Sequence, residues 1–241
     1  TPPSKSQLNC CNNAQLSDAS MFNLLFHTHY GPTLKTLAAA ESSESCHHYL
    51  RPETAQGIFV NFNNVTSTIR KRIPFGIGQT GKSFRNEISP RDFLFRMREF
   101  EQMELEYFCE PEKSRQTFNE WVQFCTDWLQ SIGIRNFKCY EYQKDECAHY
   151  ATQTTDILFK FPFGWSELWG IANRTNFDLQ AHDMKLPSNS NTTTGTTELP
   201  HVIEPAVGLD RLVLAVICDS LREEELPDKT KRTLLSVNYD I

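Results

Sequence analysis

The chain contains no CxxC pair and no other ligand spacing typical of a metal site. It nevertheless carries eight cysteines, at positions 10, 11, 46, 109, 125, 139, 147 and 218. Scattered thiols in 241 residues read as buried side chains kept reduced, not as a disulfide framework. Cys10-Cys11 with His47-His48 is the one combination rich enough for zinc. Adjacent residues on a strand point to opposite faces, so a vicinal pair rarely supplies two ligands, and no zinc is expected. No apolar run approaches the ~20 residues that span a bilayer, so no membrane contact is expected. The opening Thr1-Pro2-Pro3-Ser4-Lys5-Ser6 is polar and turn-prone, not a basic-then-apolar leader. That points to a cytoplasmic protein, or an organellar one.

Positive charge is also in short supply. The formal net charge is −6, there is no Lys/Arg tail, and basic residues cluster only at Arg70-Lys71-Arg72 and between Lys82 and Arg98. A protein that grips nucleic acid over a long surface carries a basic face, so composition weighs against such a role and any RNA contact must be local. Internal repeats are absent, and so is the strand–helix alternation of a doubly wound fold. With 39% hydrophobic and 12% aromatic residues, the chain can bury an ordinary core. It reads as one α+β domain on a mostly antiparallel sheet.

Residues 1–20 are polar and form an irregular lead-in, while 38–48 and 186–199 read as surface insertions. The second contains the run SNSNTTTGTT, which cannot bury a core. Pro52 opens a short helix with Ile58, Phe59, Phe62 and Val65 on one face. The clearest helix is Ser114 to Gly133. Phe118, Trp121, Val122, Cys125, Trp128, Leu129 and Ile132 follow 3/4 spacing there as core residues, Ser114 is placed to cap the start, and Gly133 to end it. Residues 137–163 read as short strands and turns. His201-Val202-Ile203-Glu204 reads as a strand entering a helix from Leu209 to Leu221, with Leu212, Val213, Val216 and Ile217 facing inward. His27, His29, His149 and His182 are expected to be structural or exposed, and Asp156 and Asp178 to be structural hydrogen-bond acceptors.

The chemistry concentrates between Phe84 and Phe108. Ser89-Pro90 with Asp92 marks a turn between two arms. If the second arm is a strand, Arg96, Arg98, Phe100, Gln102, Glu104 and Glu106 share one face, and Met97, Met103, Leu105 and Tyr107 the other. Arginines at one end of that face and carboxylates at the other suit a ligand carrying both a phosphate and an amine. Met97, Phe100, Met103 and Tyr107 also fit a helix, and the composition favours one, so periodicity leaves both open.

Four blocks of sequence, in order, resemble class II aminoacyl-tRNA synthetases in their glycyl form. Phe84-Arg85-Asn86-Glu87, a loop and then FRMREFEQMELEYF look like motif 2. The upstream YLRPETAQGIFVNF resembles the glycyl family's own signature, and the downstream WSELWGIANRT with Phe177-Asp178-Leu179 matches the same family. VIEPAVGLDR, ending at Arg211, looks like motif 3. The resemblance implies an antiparallel sheet flanked by helices, with motif 2 on two antiparallel strands. It implies a two-step ATP-dependent ligase: glycine's carboxylate attacks the α-phosphate of ATP, and the terminal ribose hydroxyl of tRNA then takes the glycyl group.

By the same resemblance Arg85 bridges the α-phosphate and the glycine carboxylate, and Arg211 holds the γ-phosphate. Phe100 stacks on adenine, with Glu87 and Arg96 near the nucleotide, and Asn86, Phe95, Leu168 and Gly208 complete the ATP site. Glu167 and Glu204 would supply oxygens to the Mg²⁺ that accompanies ATP. Glu53, Glu104 and Glu204, with Phe100 and Ala206, would cage glycine, which has no side chain to recognise. A carboxylate cluster is costly unless a cation joins it, so such a cage selects an amine. Ala206 stands where the motif often has Ser. The motif 1 segment, which forms the dimer interface, and the anticodon-binding domain are not recognisable. Homodimerisation is therefore expected only of the full-length family form. The alternative reading is a non-catalytic synthetase-like module that binds RNA or protein.

Overall fold

The computed structural model describes residues 22–29, 47–69, 71–184 and 199–238. The lead-in, the body of both expected insertions, and Cys10, Cys11 and Cys46 lie outside them. The last two residues expected in the first insertion, His47 and His48, belong instead to a strand. Strand β1 (His27–His29) pairs antiparallel with β2 (His47–Tyr49).

Helix α1 (Ala55–Ile69) begins three residues after Pro52 and buries Ile58, Phe59 and Phe62. Strands β3 (Phe75–Phe84) and β4 (Glu99–Cys109) form the antiparallel pair expected of the charged segment. The turn between them passes through Asp92 and Phe93, both with positive φ, into a short 3₁₀ turn at Phe93–Phe95. Helix α2 (Ser114–Ser131) follows. Strands β5 (Phe137–Glu141), β6 (Gln153–Phe161) and β7 (Gly164–Thr175), the short helix α3 (Phe177–Ala181), strand β8 (His201–Gly208) and helix α4 (Leu209–Ser220) complete the body. Strands β9 (Leu221–Glu225) and β10 (Lys231–Leu235) make a separate hairpin. The main sheet is six-stranded, in the order β3-β4-β8-β7-β6-β5, with all neighbours antiparallel.

Strand β4 resolves the helix-or-strand ambiguity. It sits between β3 and β8, so its backbone groups are paired on both sides, and this outweighs the helix preference of Glu, Met and Leu. Period two then sorts its side chains. Met103, Tyr107 and Cys109 pack with Ile203 and Val207 of β8 into the core under α2, where Phe118, Cys125 and Leu129 are buried. Phe100, Gln102, Glu104 and Glu106 fall on the opposite face with Glu204 and Ala206. At one end that face is closed by α1, whose Phe59 and Phe62 pack on Phe108 and Val202.

Two local expectations are corrected. Ser114 does not cap α2: its hydroxyl donates to the Pro111 carbonyl at 2.8 Å, and a 3₁₀ turn at Pro111–Lys113 leads into the helix. In α4, Leu212 and Ala215 are buried, whereas Val213 and Ile217 are 45% and 41% exposed, so the buried stripe runs one position round from the expected one. Gly133 does end α2. Its φ of +94° lets the Ile134 N–H reach back to the Leu129 carbonyl at 3.0 Å. Among the described residues no helix is long and apolar enough to cross a membrane.

Candidate active site

The open face of the sheet carries a cavity of about 270 Å³. Every site residue expected from the sequence lines it except Asn86. Asn86 turns the other way: its amide donates to the Asn23 carbonyl at 3.2 Å and its backbone N–H to that of Leu24 at 2.8 Å, tying down the segment before β1. Leu168 borders the cavity, but its side chain is buried in the core and offers a nucleotide no surface.

One end is acidic. Glu104, on β4, is fixed by three donors. Its Oε2 accepts the Thr54 N–H at 2.7 Å and a very short bond from the Thr54 hydroxyl; its Oε1 accepts the Gln102 amide at 3.0 Å. Ala206 lies opposite Glu104 in the β4–β8 register, so the cavity floor there is one methyl deep. Glu53, in the turn before α1, accepts the Gln56 amide at 3.0 Å.

Glu204, on β8, accepts from Arg174 at 2.9 Å. The Arg174 guanidinium also grips Asp178 with two bonds, of 2.7 and 2.8 Å, and stacks over the Tyr150 ring at 4.2 Å. Arg174 is 5% exposed, and the carboxylates around it hold it firmly protonated against the cost of burial. Asp178 is the structural acceptor expected of it.

The other end is cationic and aromatic. Arg85 leaves β3 with its guanidinium 5.4 Å from the centre of the Phe100 ring, and its Nε donates to the Pro52 carbonyl at 3.0 Å. Arg96 pairs with Glu87 at 3.3 Å while its Nε is buried without a partner. Arg211, in the first turn of α4, stacks on Phe95 at 4.2 Å and donates to the Phe95 carbonyl at 3.0 Å and to the Glu167 carboxylate at 3.4 Å. Asp210 anchors that turn by accepting the Glu101 N–H at 2.8 Å. Arg85, Arg96 and Arg211 all line the cavity.

The expected Mg²⁺ pair is corrected. Glu204 faces Ala172 on β7, and Glu167 lies beyond a bulge at Leu168, opposite Leu158; along β6 that is four residues from Thr154, the partner of Ala172, or ~13 Å at ~3.3 Å per residue. With Glu204 turned to Arg174 and Glu167 to Arg211, the two are badly placed to share a Mg²⁺ with oxygens at ~2.1 Å. Glu167 is matched instead by Asp156. The two carboxylates approach one point above Gly170, with oxygens 3.6 Å (Asp156) and 3.7 Å (Glu167) from where a β-carbon would sit. Asp156 also accepts the Tyr142 hydroxyl at 2.7 Å; burial and the Glu167 charge push its carboxyl up to about 6. Carboxylate oxygens facing one point are the donor type that Mg²⁺ takes, with its remaining ligands from phosphates and water. Among the described residues no group of three or more His, Cys, Asp and Glu side chains is set to hold a metal alone.

Arg174, Thr54, Tyr150 and Asp156 were not expected in the site, and Gln102 only as a member of the polar face of β4. The spacing of Arg174 and Asp178, three residues between opposite charges, was the one signal in the sequence; Asp156 shows itself only through pairing of β6 with β7.

Residues 39–220 match the family model described as the tRNA synthetase class II core domain (G, H, P, S and T). The chain belongs to this family. A glycine–tRNA ligase from Caldanaerobacter subterraneus subsp. tengcongensis is 51% identical over 232 residues, 93% of this chain and 48% of that protein. One from Geobacillus kaustophilus is 49% identical over 234 residues, 95% of this chain and 49% of that protein. The chain thus spans about half the length of the curated relatives it matches. Among solved structures, the Giardia lamblia prolyl-tRNA synthetase in complex with prolyl-adenylate superposes with a TM-score of 0.63 at 16% identity, covering 80% of this chain and 37% of that one. The class II core fold, an antiparallel sheet flanked by helices, is therefore the fold of this chain.

Proposed function

We propose that this class II core activates glycine with ATP and transfers it to the 3′ end of tRNA, as a glycine–tRNA ligase. The observation that carries the reading is one cavity lined both by Arg85, Phe100 and Arg211 and by Glu53, Glu104 and Glu204. The identity to glycine–tRNA ligases supports the choice of amino acid.

In this reading adenine lies on Phe100, Arg211 takes the γ-phosphate, and Arg85 spans the α-phosphate and the glycine carboxylate with its planar, two-pronged donor. The ammonium group enters the acidic end, and the floor at Ala206 leaves no room for a side chain. Attack by a glycine carboxylate oxygen on the α-phosphorus expels pyrophosphate and gives glycyl-adenylate; the tRNA ribose hydroxyl then attacks the glycyl carbonyl and AMP leaves. Catalysis here is alignment plus cationic stabilisation of spreading phosphate charge. Mg²⁺, held by Glu167 and Asp156, would neutralise phosphate oxygens.

A non-hydrolysable glycyl-adenylate analogue tests the reading by calorimetry. It is expected to bind at least about a hundredfold more tightly than ATP and to lose that gain when its glycyl group becomes alanyl. Equal affinity for the two analogues would refute glycine specificity. No binding of either by folded protein would favour the non-catalytic module.

A further inference from the structure

Glu106 has no part in the site described above, yet it is 0% exposed. The register that pairs Glu104 with Ala206 and Tyr107 with Ile203 sets it opposite Glu204, a cross-strand neighbour at ~4.5–5.5 Å between β-carbons. Neither of its oxygens accepts a hydrogen bond from a protein N–H or O–H group. On its other side it faces Ile77 of β3, which offers no side-chain donor. The charged groups around it are Glu204 on β8, Glu104 on its own strand and Arg174 on β7. Arg174 directs its hydrogen bonds to Asp178 and Glu204. A carboxylate anion in that place would be desolvated, without donors and beside two other anions. A carboxylic acid there has one O–H to give, and the cross-strand Glu204 carboxylate is placed to accept it.

We propose that Glu106 is a positioning residue for the amino-acid pocket: a neutral carboxylic acid that donates its proton to Glu204 and aims that carboxylate at the substrate's ammonium group. The proposal rests on the glycine-activating reading. Glu204 is then held from two sides, by Arg174 and by Glu106, and its remaining lone pairs point into the cavity. Burial, reinforced by the Glu204 charge, pushes the Glu106 carboxyl well above the ordinary carboxylate range, and burial raises that of Glu204 as well. The two groups share one proton and titrate as a pair. The pocket then carries one negative charge fewer than its carboxyl count, which keeps it foldable before the amine arrives.

Two substitutions separate this role from simple packing. Glu106→Gln keeps a neutral donor, whereas Glu106→Leu keeps volume and removes it. In pyrophosphate exchange, Glu106→Gln is expected to hold the glycine KM within about threefold of wild type, and Glu106→Leu to raise it about tenfold or more with the ATP KM unchanged. Infrared spectroscopy of the wild-type protein at neutral pH is expected to show a protonated-carboxyl carbonyl band that shifts in D₂O and disappears in Glu106→Gln. Glu106→Gln as damaging as Glu106→Leu, or no such band, would overturn the proposal. Wild-type protein that binds ATP but shows no glycine-dependent exchange would instead defeat the synthetase reading, and the band would decide the proton alone. If Glu106→Leu does not fold, Glu106→Gln and the band carry the decision.

Discussion

Ala206 on β8 lies directly opposite Glu104 on β4, so a methyl group of the cavity lining faces a carboxylate held by three donors. In the proposed pose, an amine bound to Glu104 has its α-carbon over that methyl group. Enlarging that methyl acts on the amino acid and not on ATP. Ala206→Val is expected to raise the glycine KM by at least about tenfold with the ATP KM unchanged, while Ala206→Ser retains activity. Steady-state exchange with each substrate varied in turn checks both.

Arg85 and Arg211 supply the cationic end. Arg85→Ala or Arg211→Ala is expected to lower the exchange rate by about 10²–10³-fold, the scale seen when one oriented donor is removed from a developing anion. The melting temperature should stay close to wild type, because both guanidinium groups are partly exposed. Loss of rate together with loss of folded protein would argue that they are structural.

Arg174 is the opposite case. It is buried with Asp178 and Glu204 as partners. Arg174→Met would leave those two carboxylates without their cation, at about 3–5 kcal/mol of stability. Denaturant unfolding of Arg174→Met beside Arg174→Lys measures this, and both should lose glycine binding. A midpoint unchanged in Arg174→Met would contradict the buried network.

Asp156 gives a pH signature. Its carboxyl titrates near 6 in the folded state, against an ordinary 3.8. Between those values the native state holds a proton that the unfolded chain has lost. Stability therefore falls as pH rises through that window and levels off above it. Asp156→Asn is expected to flatten the profile and to raise the melting temperature above pH 6, while increasing the Mg²⁺ needed for half-maximal exchange. Calorimetric scans from pH 4 to 7, with Mg²⁺ titrations at neutral pH, check the two effects.

The parts of this account legible in the sequence were those written in local spacing. Residues 114–133 declared a helix through 3/4 periodicity, and the alternation of β4 was readable once its strand character was assumed. Whether it was a strand was not readable, since Glu, Met and Leu favour helix and only pairing to β3 and β8 decides. The site residues came from motif resemblance, and the sheet register then brought all but Asn86 to one cavity. Asn86 escaped because its neighbours Arg85 and Glu87 face the cavity while it points to the segment before β1. The Glu167–Glu204 pairing failed for a similar reason. Their distance depends on how β7 and β8 slide past each other and on the bulge at Leu168, and neither leaves a trace in either segment.

In the proposed function one cavity holds ATP by its arginines and glycine by its carboxylates. Glycine-dependent exchange of labelled pyrophosphate into ATP by the purified protein tests it most directly. The account predicts exchange that requires glycine, is not supported by alanine, serine or proline, and disappears in Arg85→Ala. Folded protein that binds ATP and catalyses no exchange with glycine, or exchanges equally with alanine, would contradict it.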